Sequence, residues 1–203
     1  AAPEWQADDA APAIAVTVTD LNQDGHPDPI ISRNGAATVA LMRRNGSAFM
    51  PDTHWSANLT DVARFGLATA FDADNDGDPD LCLSDPRSNA LWIALQHDGV
   101  FAKGLALDLG AAARAVLACD FDRDGLQDLL ASDASGAVHV FRNTTKTSNS
   151  FLEVALRGRE GFSPAEMWSN TFGVGATIEV AAGARKWHRQ VGTHGGFLAG
   201  APP

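Results

Sequence analysis

Asp72-Ala73-Asp74-Asn75-Asp76-Gly77-Asp78-Pro79-Asp80 is the stretch whose reading decides the fold. Five carboxylates crowd into nine residues, and their mutual repulsion calls for a counter-charge. The spacing points to one: oxygen donors at positions 1, 3, 5 and 9, with glycine at 6, wrap a hard cation, most plausibly Ca²⁺. The frame recurs as Asp20-Leu21-Asn22-Gln23-Asp24-Gly25-His26-Pro27-Asp28 and as Asp120-Phe121-Asp122-Arg123-Asp124-Gly125-Leu126-Gln127-Asp128. The loops begin 52 and then 48 residues apart, so the loop belongs to a repeat.

In a loop of this kind positions 1, 3, 5 and 9 offer side-chain oxygens and position 7 a backbone carbonyl. The candidate ligands are therefore Asp20, Asn22, Asp24, His26 and Asp28; Asp72, Asp74, Asp76, Asp78 and Asp80; and Asp120, Asp122, Asp124, Leu126 and Asp128. A carbonyl ligand explains why His, Asp and Leu all serve at position 7. An EF-hand would place a bidentate Glu at position 12, on an emerging helix. Here position 12 is Ile31, Leu83 or Ala131, each inside a short apolar run, so the site joins two strands. Counted by charge alone, the second loop should bind tightest.

The apolar runs around the loops give an all-β reading. Ile14–Thr19 and Pro29–Ser32 flank the first loop, Leu67–Phe71 and Leu81–Ser84 the second, Ala115–Cys119 and Leu129–Ser132 the third. Runs of this length bounded by Gly, Pro, Asn and Asp read as strands. A third strand is expected at Thr38–Met42, Ala90–Leu95 and Ala137–Phe141. A fourth opens on Phe49, Phe101 and Phe151, after turns such as Asn45-Gly46. Four strands per ~50 residues, repeated, is the pattern of β-propeller blades. By phase, Glu4–Ala7 takes the fourth-strand place of a unit whose first three strands are absent. Three blades are too few to close a ring alone, which leaves two faces for another chain or segment to cover.

Charge supports the metal reading. The net charge is −10, which disfavours nucleic acid, and twelve of the 25 acidic residues lie in the three loops. Three Ca²⁺ would bring the formal charge to −4. Acidic residues outnumber basic ones 21 to 10 over 1–150, against 4 to 5 over 151–203, marking a boundary between a repeat domain and a C-terminal segment. No apolar run approaches the ~20 residues of a membrane-spanning helix. The first residues, Ala1-Ala2-Pro3, read as a chain trimmed on export. With calcium sites and two cysteines, an extracytoplasmic location is expected, whether periplasmic, secreted or at the cell surface.

The loops, in that phase, resemble those of FG-GAP/VCBS repeats, whose D-x-[DN]-x-D-G-x-x-D loops bind calcium between the first two strands of a blade in integrin α-subunits. The resemblance covers about residues 10–150, with one literal Phe-Gly at Phe65-Gly66. It implies a calcium-binding blade fold and no particular activity. Further on, Phe151-Leu152-Glu153-Val154-Ala155-Leu156-Arg157-Gly158, Ser169-Asn170, Gly173-Val174-Gly175-Ala176-Thr177-Ile178-Glu179-Val180 and Trp187–Val191 resemble the ASPIC/UnbV segment. That segment follows such repeats in proteins similar to cartilage acidic protein 1. Residues 159–168 make a longer connection than that pattern has, and its final strand is not seen.

Other residues carry weaker chemical signals. Cys82 and Cys119 lie in no CxxC arrangement, leaving one inter-blade disulfide or two separate thiols. Gly173-Val174-Gly175 lacks the third glycine and helix of a nucleotide fingerprint. Arg185, Lys186, His188 and Arg189 form a basic cluster, read as a solvated strand face or a contact for an anionic partner. The six histidines show no metal-ligand spacing and read as packing or surface residues. Trp5, Trp55 and Trp92 fall at inter-blade core positions, and Trp168 is a candidate partner contact. Asn45, Asn58 and Asn143 stand in N-x-[ST] sequons. No serine has a His/Asp neighbourhood, so no catalytic set is expected. The sequence thus predicts a calcium-binding, non-enzymatic scaffold or interaction subunit, assembling with itself, in a filament, or with a membrane-associated complex. The alternative is a carbohydrate- or cell-surface-binding adhesion module.

Overall fold

The computed structural model describes residues 13–33, 40–45, 48–51, 66–85, 87–157, 173–183 and 185–191. Three antiparallel sheets follow one another along the chain. The first runs β1 (Ala13–Thr19), β2 (Asp28–Arg33), β3 (Ala40–Asn45) and β4 (Ala48–Pro51), in that spatial order. The second runs β5 (Ala68–Phe71), β6 (Asp80–Asp85), β7 (Ala90–His97) and β8 (Val100–Asp108). The third holds β9 (Ala113–Cys119), β10 (Asp128–Asp133) and β11 (Val138–Phe141). A separate hairpin pairs β12 (Thr177–Ala182) with β13 (Arg185–Gln190). The architecture is all-β, and each sheet is open: no sheet closes on itself among the described residues.

Each acidic loop is a β1–β2 type connection with the same closure. Thr19 pairs with Asp28, Phe71 with Asp80, and Cys119 with Asp128, so the last loop aspartate is also the first residue of the next strand. Positions 12 of the loops, Ile31, Leu83 and Ala131, all lie in strands, which rules out an EF-hand helix.

Strand alternation sends side chains to both faces of each sheet, and both faces of the middle sheet are buried. Leu81, Leu83, Ala94 and Phe101 pack with Leu21 and Ile30 from the first repeat. On the opposite face Phe71, Cys82, Leu91 and Ile93 pack with Leu129 and Ala131 of the third. Burying side chains as completely as Leu81, Leu83 and Leu91 contributes about 2 kcal/mol each. Trp92 packs against the first of these clusters, at the inter-sheet position expected for it.

The third strand of the first sheet is described over Ala40–Asn45, running three residues past the expected Thr38–Met42, whose Thr38 and Val39 lie outside the described residues. One expectation, a fourth strand opening on Phe151, needs correction. Phe151–Leu156 forms no strand, so β11 has no fourth neighbour. After β11 the Asn143 side-chain amide donates to the distant carbonyls of Ala73 (2.8 Å) and Gln127 (3.1 Å), pulling the chain over the loops and away from the sheet edge. Cys82 and Cys119 are free thiols. Trp5, Glu4–Ala7, Trp55, Asn58 and Trp168 lie outside the described residues, as does Phe65.

Candidate metal centre

The three loops adopt one conformation. Position 4 is left-handed in each, with φ of 58° at Gln23, 60° at Asn75 and 60° at Arg123. Position 6 is glycine at φ 86°, 89° and 88°, a region that a Cβ would make costly. The turn is held by its own carboxylates. Asp72 accepts from the backbone N–H of Asp76 (3.1 Å) and Gly77 (3.0 Å), and Asp76 accepts from Asp78 N–H (2.8 Å). Asp20 and Asp24 repeat this with Asp24, Gly25 and His26; Asp120 and Asp124 repeat it with Asp124, Gly125 and Leu126.

Position 9 ties the loop to the sheet. Asp80 Oδ2 accepts from Ala73 N–H and Oδ1 from Gln96 N–H on β7, both at 2.7 Å. Asp128 does the same with Phe121 (3.1 Å) and Asn143 (2.7 Å). Asp28 accepts from Leu21 N–H (3.1 Å), but its buried Oδ1 has no partner.

The loops bring carboxylates together as the spacing predicts. Asp72, Asp74 and Asp80 place oxygens within 4.8 Å of one another, as do Asp120, Asp122 and Asp128. Asp76 and Asp78 instead form a group with His97, a residue that sequence reading had assigned to packing or the surface. The first loop shares the turn but has Asn22 where the others have a third carboxylate. Asp78 turns its side chain outward: Oδ1 accepts from Gln23 Nε2 (3.0 Å) and Arg185 Nη2 (2.9 Å). Arg142 pairs with Asp122 and Asp124, a side-chain counter-charge over the third loop.

Without a cation these groups resist ionisation. Burial pushes the Asp80 carboxyl up to about 7 and Asp28 up to about 6, neighbouring carboxylates adding to both. Asp20, Asp72 and Asp74 are raised as well, first by burial, then against the lowering effect of their backbone N–H bonds. The donors are all hard oxygens, and each accepting carboxylate keeps spare lone pairs. Such a set fits Ca²⁺, and the orphaned Asp28 Oδ1 is an acceptor with nothing yet to meet.

A model described as FG-GAP-like repeat matches residues 20–83 and 72–131, more than half of the chain. The chain belongs to the FG-GAP-like repeat family. The match ends at residue 131 and so leaves the C-terminal segment unassigned. No curated protein matches the chain. The FG-GAP-like repeats here are also joined loop to loop. Gln23 Nε2 reaches the Gly77 carbonyl (2.8 Å), and Asp72 N–H donates to Gln127 Oε1 (2.8 Å). The three loops therefore form one hydrogen-bonded row at the same end of the sheets.

The C-terminal segment lies on that row. A Cβ on Gly77 would run into the Trp187 indole, one on Gly125 into the Phe151 ring, and one on Gly25 would touch the His188 ring at 3.7 Å. The basic cluster thus faces this chain's own loops. Arg185 holds Asp78 and stacks over Trp187 at 5.4 Å, and Arg189 reaches the Gly77 carbonyl at 3.5 Å. Lys186 pairs with Glu179 instead (2.8 Å).

Several contributors were not read from the sequence. Gln96 lies 16 residues after Asp80, and Asn143 lies 15 after Asp128; that near-constant offset was the available signal. Asn143 spends its amide on Ala73 and Gln127, so a glycan there would break both bonds. Gly173 and Gly175 have φ 65° and 89° in a turn leading to β12, a strand start and not a phosphate cradle. A cleft of about 350 Å³ opens between the second and third sheets, floored by Phe71, Ile93, Leu129 and Phe141 with Asp74 and Arg142 among its lining residues. No helix among the described residues is long and apolar enough to cross a membrane.

Proposed function

We propose that this chain is a calcium-stabilised, non-enzymatic scaffold or interaction subunit that works outside the cytoplasm. About three Ca²⁺ would sit in the loops, with side-chain oxygens from positions 1, 3, 5 and 9 and the carbonyls of His26, Asp78 and Leu126. The carrying observation is the shared loop conformation, which gathers carboxylates that burial makes reluctant to ionise. A cation relieves that reluctance. Its binding free energy then appears as stability of the folded sheets. Because Gln23 and Gln127 join the loops, the ions would fasten the ends of three blades in one row.

In this reading residues 1–150 form propeller-type blades and 151–203 an ASPIC/UnbV-like module, as in proteins similar to cartilage acidic protein 1. The module rests on the loops through Phe151, Trp187 and His188. Assembly with itself or with a membrane-associated complex is the partner side of this reading. Calorimetric titration of the EDTA-stripped chain with Ca²⁺, together with its melting temperature, tests the proposal. Saturable binding and a raised melting temperature are expected; no heat and an unchanged melting temperature would sink it. A glycan array tests the adhesion alternative, since specific binding would move the function to a surface such as the cleft beside Asp74.

A further inference from the structure

The second and third loops offer a cation the same side-chain donors. Each has aspartate at positions 1, 3, 5 and 9, from Asp72 to Asp80 in one and from Asp120 to Asp128 in the other. The turn is shared too, with matching φ at positions 4 and 6. The extra carboxylate of the second loop, Asp78, adds little, because its side chain turns outward to Arg185 (2.9 Å). Any difference in affinity must therefore come from what surrounds the donors.

The surroundings differ at the end of the third strand. In the third sheet Leu129 pairs with Phe141 and the next residue is Arg142; in the second Leu81 pairs with Ala94 and the next is Leu95. Leu129 and Leu81 both stand at position 10, so the two places are equivalent. Leu95 packs into the apolar cluster between the sheets. Arg142 reaches the loop instead. Its Nη2 contacts Asp122 Oδ2 and lies 3.4 Å from Asp124 Oδ2, at positions 3 and 5 of the loop. In the second loop His97 Nδ1 stands 3.6 Å from Asp76 Oδ2, at position 5. Histidine carries charge only when protonated, whereas a guanidinium carries it throughout.

We infer that Arg142 is a tethered counter-ion of the third loop. Calcium must displace it from Asp122 and Asp124, so this loop fills at higher calcium than the second; the inference rests on the calcium reading proposed above. The exchange has room to occur. The Arg142 side chain is 63% exposed and lines the cleft between the second and third sheets, which leaves open space for it to move into. The turn does not depend on it, since Asp122 Oδ1 accepts from Asp124 N–H (3.2 Å) and Asp124 Oδ1 from Leu126 N–H (2.9 Å). A unit charge about 6 Å from a dication in water-like surroundings weakens binding about tenfold. Salt screens an effect of this kind.

The amides of Gly77 and Gly125 report the two loops separately, because each donates to the position-1 aspartate of its own loop (3.0 and 2.9 Å). Heteronuclear NMR of the full chain through a Ca²⁺ titration at low salt is the test. Gly77 should shift at lower calcium than Gly125. In R142Q the Gly125 midpoint should fall about tenfold while that of Gly77 stays put, and added salt should narrow the gap between R142Q and the parent. R142K keeps the charge and should stay near the parent. An unchanged Gly125 midpoint in R142Q would make the pair an inert surface contact, and a raised one would make Arg142 an organiser of the ligands. An R142K chain that follows R142Q would remove charge as the cause. Each of these overturns the counter-ion and leaves calcium binding intact. If neither amide responds to calcium, the metal reading falls and the counter-ion with it.

Discussion

Replacing Asp80 by Asn should have opposite effects on stability with and without calcium. Asp80 is fully buried and its carboxyl titrates near 7, against 3.8 for an ordinary aspartate. At about 1.4 kcal/mol per pH unit, holding it ionised at pH 8 costs the metal-free fold about 4 kcal/mol. Asn removes that cost. It also loses one of two N–H partners, because its amide nitrogen cannot accept from Ala73 or Gln96, and such a loss is worth about 1–3 kcal/mol. In EDTA the Asp80→Asn chain should therefore be more stable than the parent by about 1–3 kcal/mol. In calcium the parent gains about 2.7 kcal/mol when the ion is at a hundred times its dissociation constant, and a loop without its position-9 carboxylate gains little of it. The advantage should vanish or reverse.

The assay is urea unfolding at pH 8 in EDTA and in calcium, read at the midpoint with the slope checked for constancy. The same change in stability under both conditions would refute the reasoning, since Asp80 would then be only a hydrogen-bonding post. Asp28→Asn is the companion case. The Leu21 N–H meets Asp28 Oδ2 while Oδ1 is orphaned, so Asn can keep the Leu21 bond with its amide nitrogen at the orphaned position. The smaller pKa shift of Asp28, to about 6, predicts a smaller stabilisation in EDTA than Asp80→Asn.

Three more outcomes follow from the same geometry. The metal-free chain should lose stability as pH rises from about 4 to about 7, because the folded state holds protons on Asp28 and Asp80 that the unfolded chain has released; calcium displaces them, so the melting-temperature gain from calcium should grow from pH 5 to pH 8 in a thermal scan. Gly77→Ala should cost at least about 1–2 kcal/mol for its left-handed φ, and should also raise hydrogen exchange in β12 and β13 by pushing Trp187 off the loop; loss of stability with unchanged exchange there would show that the hairpin does not rest on Gly77. Cys82, buried and with its thiol pushed up to about 12, should resist maleimide in the native chain and react only on unfolding, as read by mass spectrometry.

What was legible in the sequence was what the loops dictate locally. The nine-residue frame fixes a glycine at position 6 and carboxylates at 1, 5 and 9, and the strands on either side follow from short apolar runs between turn residues. Even the rejection of a helix at Ile31, Leu83 and Ala131 needed only the missing position-12 Glu and the short apolar runs around them. Contacts set by distant residues were not legible. Phe151 occupies the phase of a fourth strand, yet Asn143 redirects the chain onto the loops through the carbonyls of Ala73 and Gln127. The basic cluster read as a solvated face because nothing local reveals that Asp78 lies opposite Arg185 across 107 residues. Asp78 itself was read for its carbonyl, and its side chain proved to be the meeting point of Gln23 and Arg185.

That meeting point changes what an acidic loop of this kind does in this chain. A metal clip that only held a hairpin would leave its outer surface to water. Here the second loop's outer surface is shared: the Gly77 carbonyl accepts from Gln23 and Arg189, and Asp78 from Gln23 and Arg185. The glycine that the left-handed turn demands is also the only residue that lets Trp187 lie this close. Whatever fixes the loop from inside therefore fixes the landing place of the C-terminal hairpin from outside. By linkage the hairpin would return the same free energy to an ion bound in the loop. A loop bent out of this turn would lose both, which binds the metal, the neighbouring repeat and the C-terminal segment into one cooperative unit.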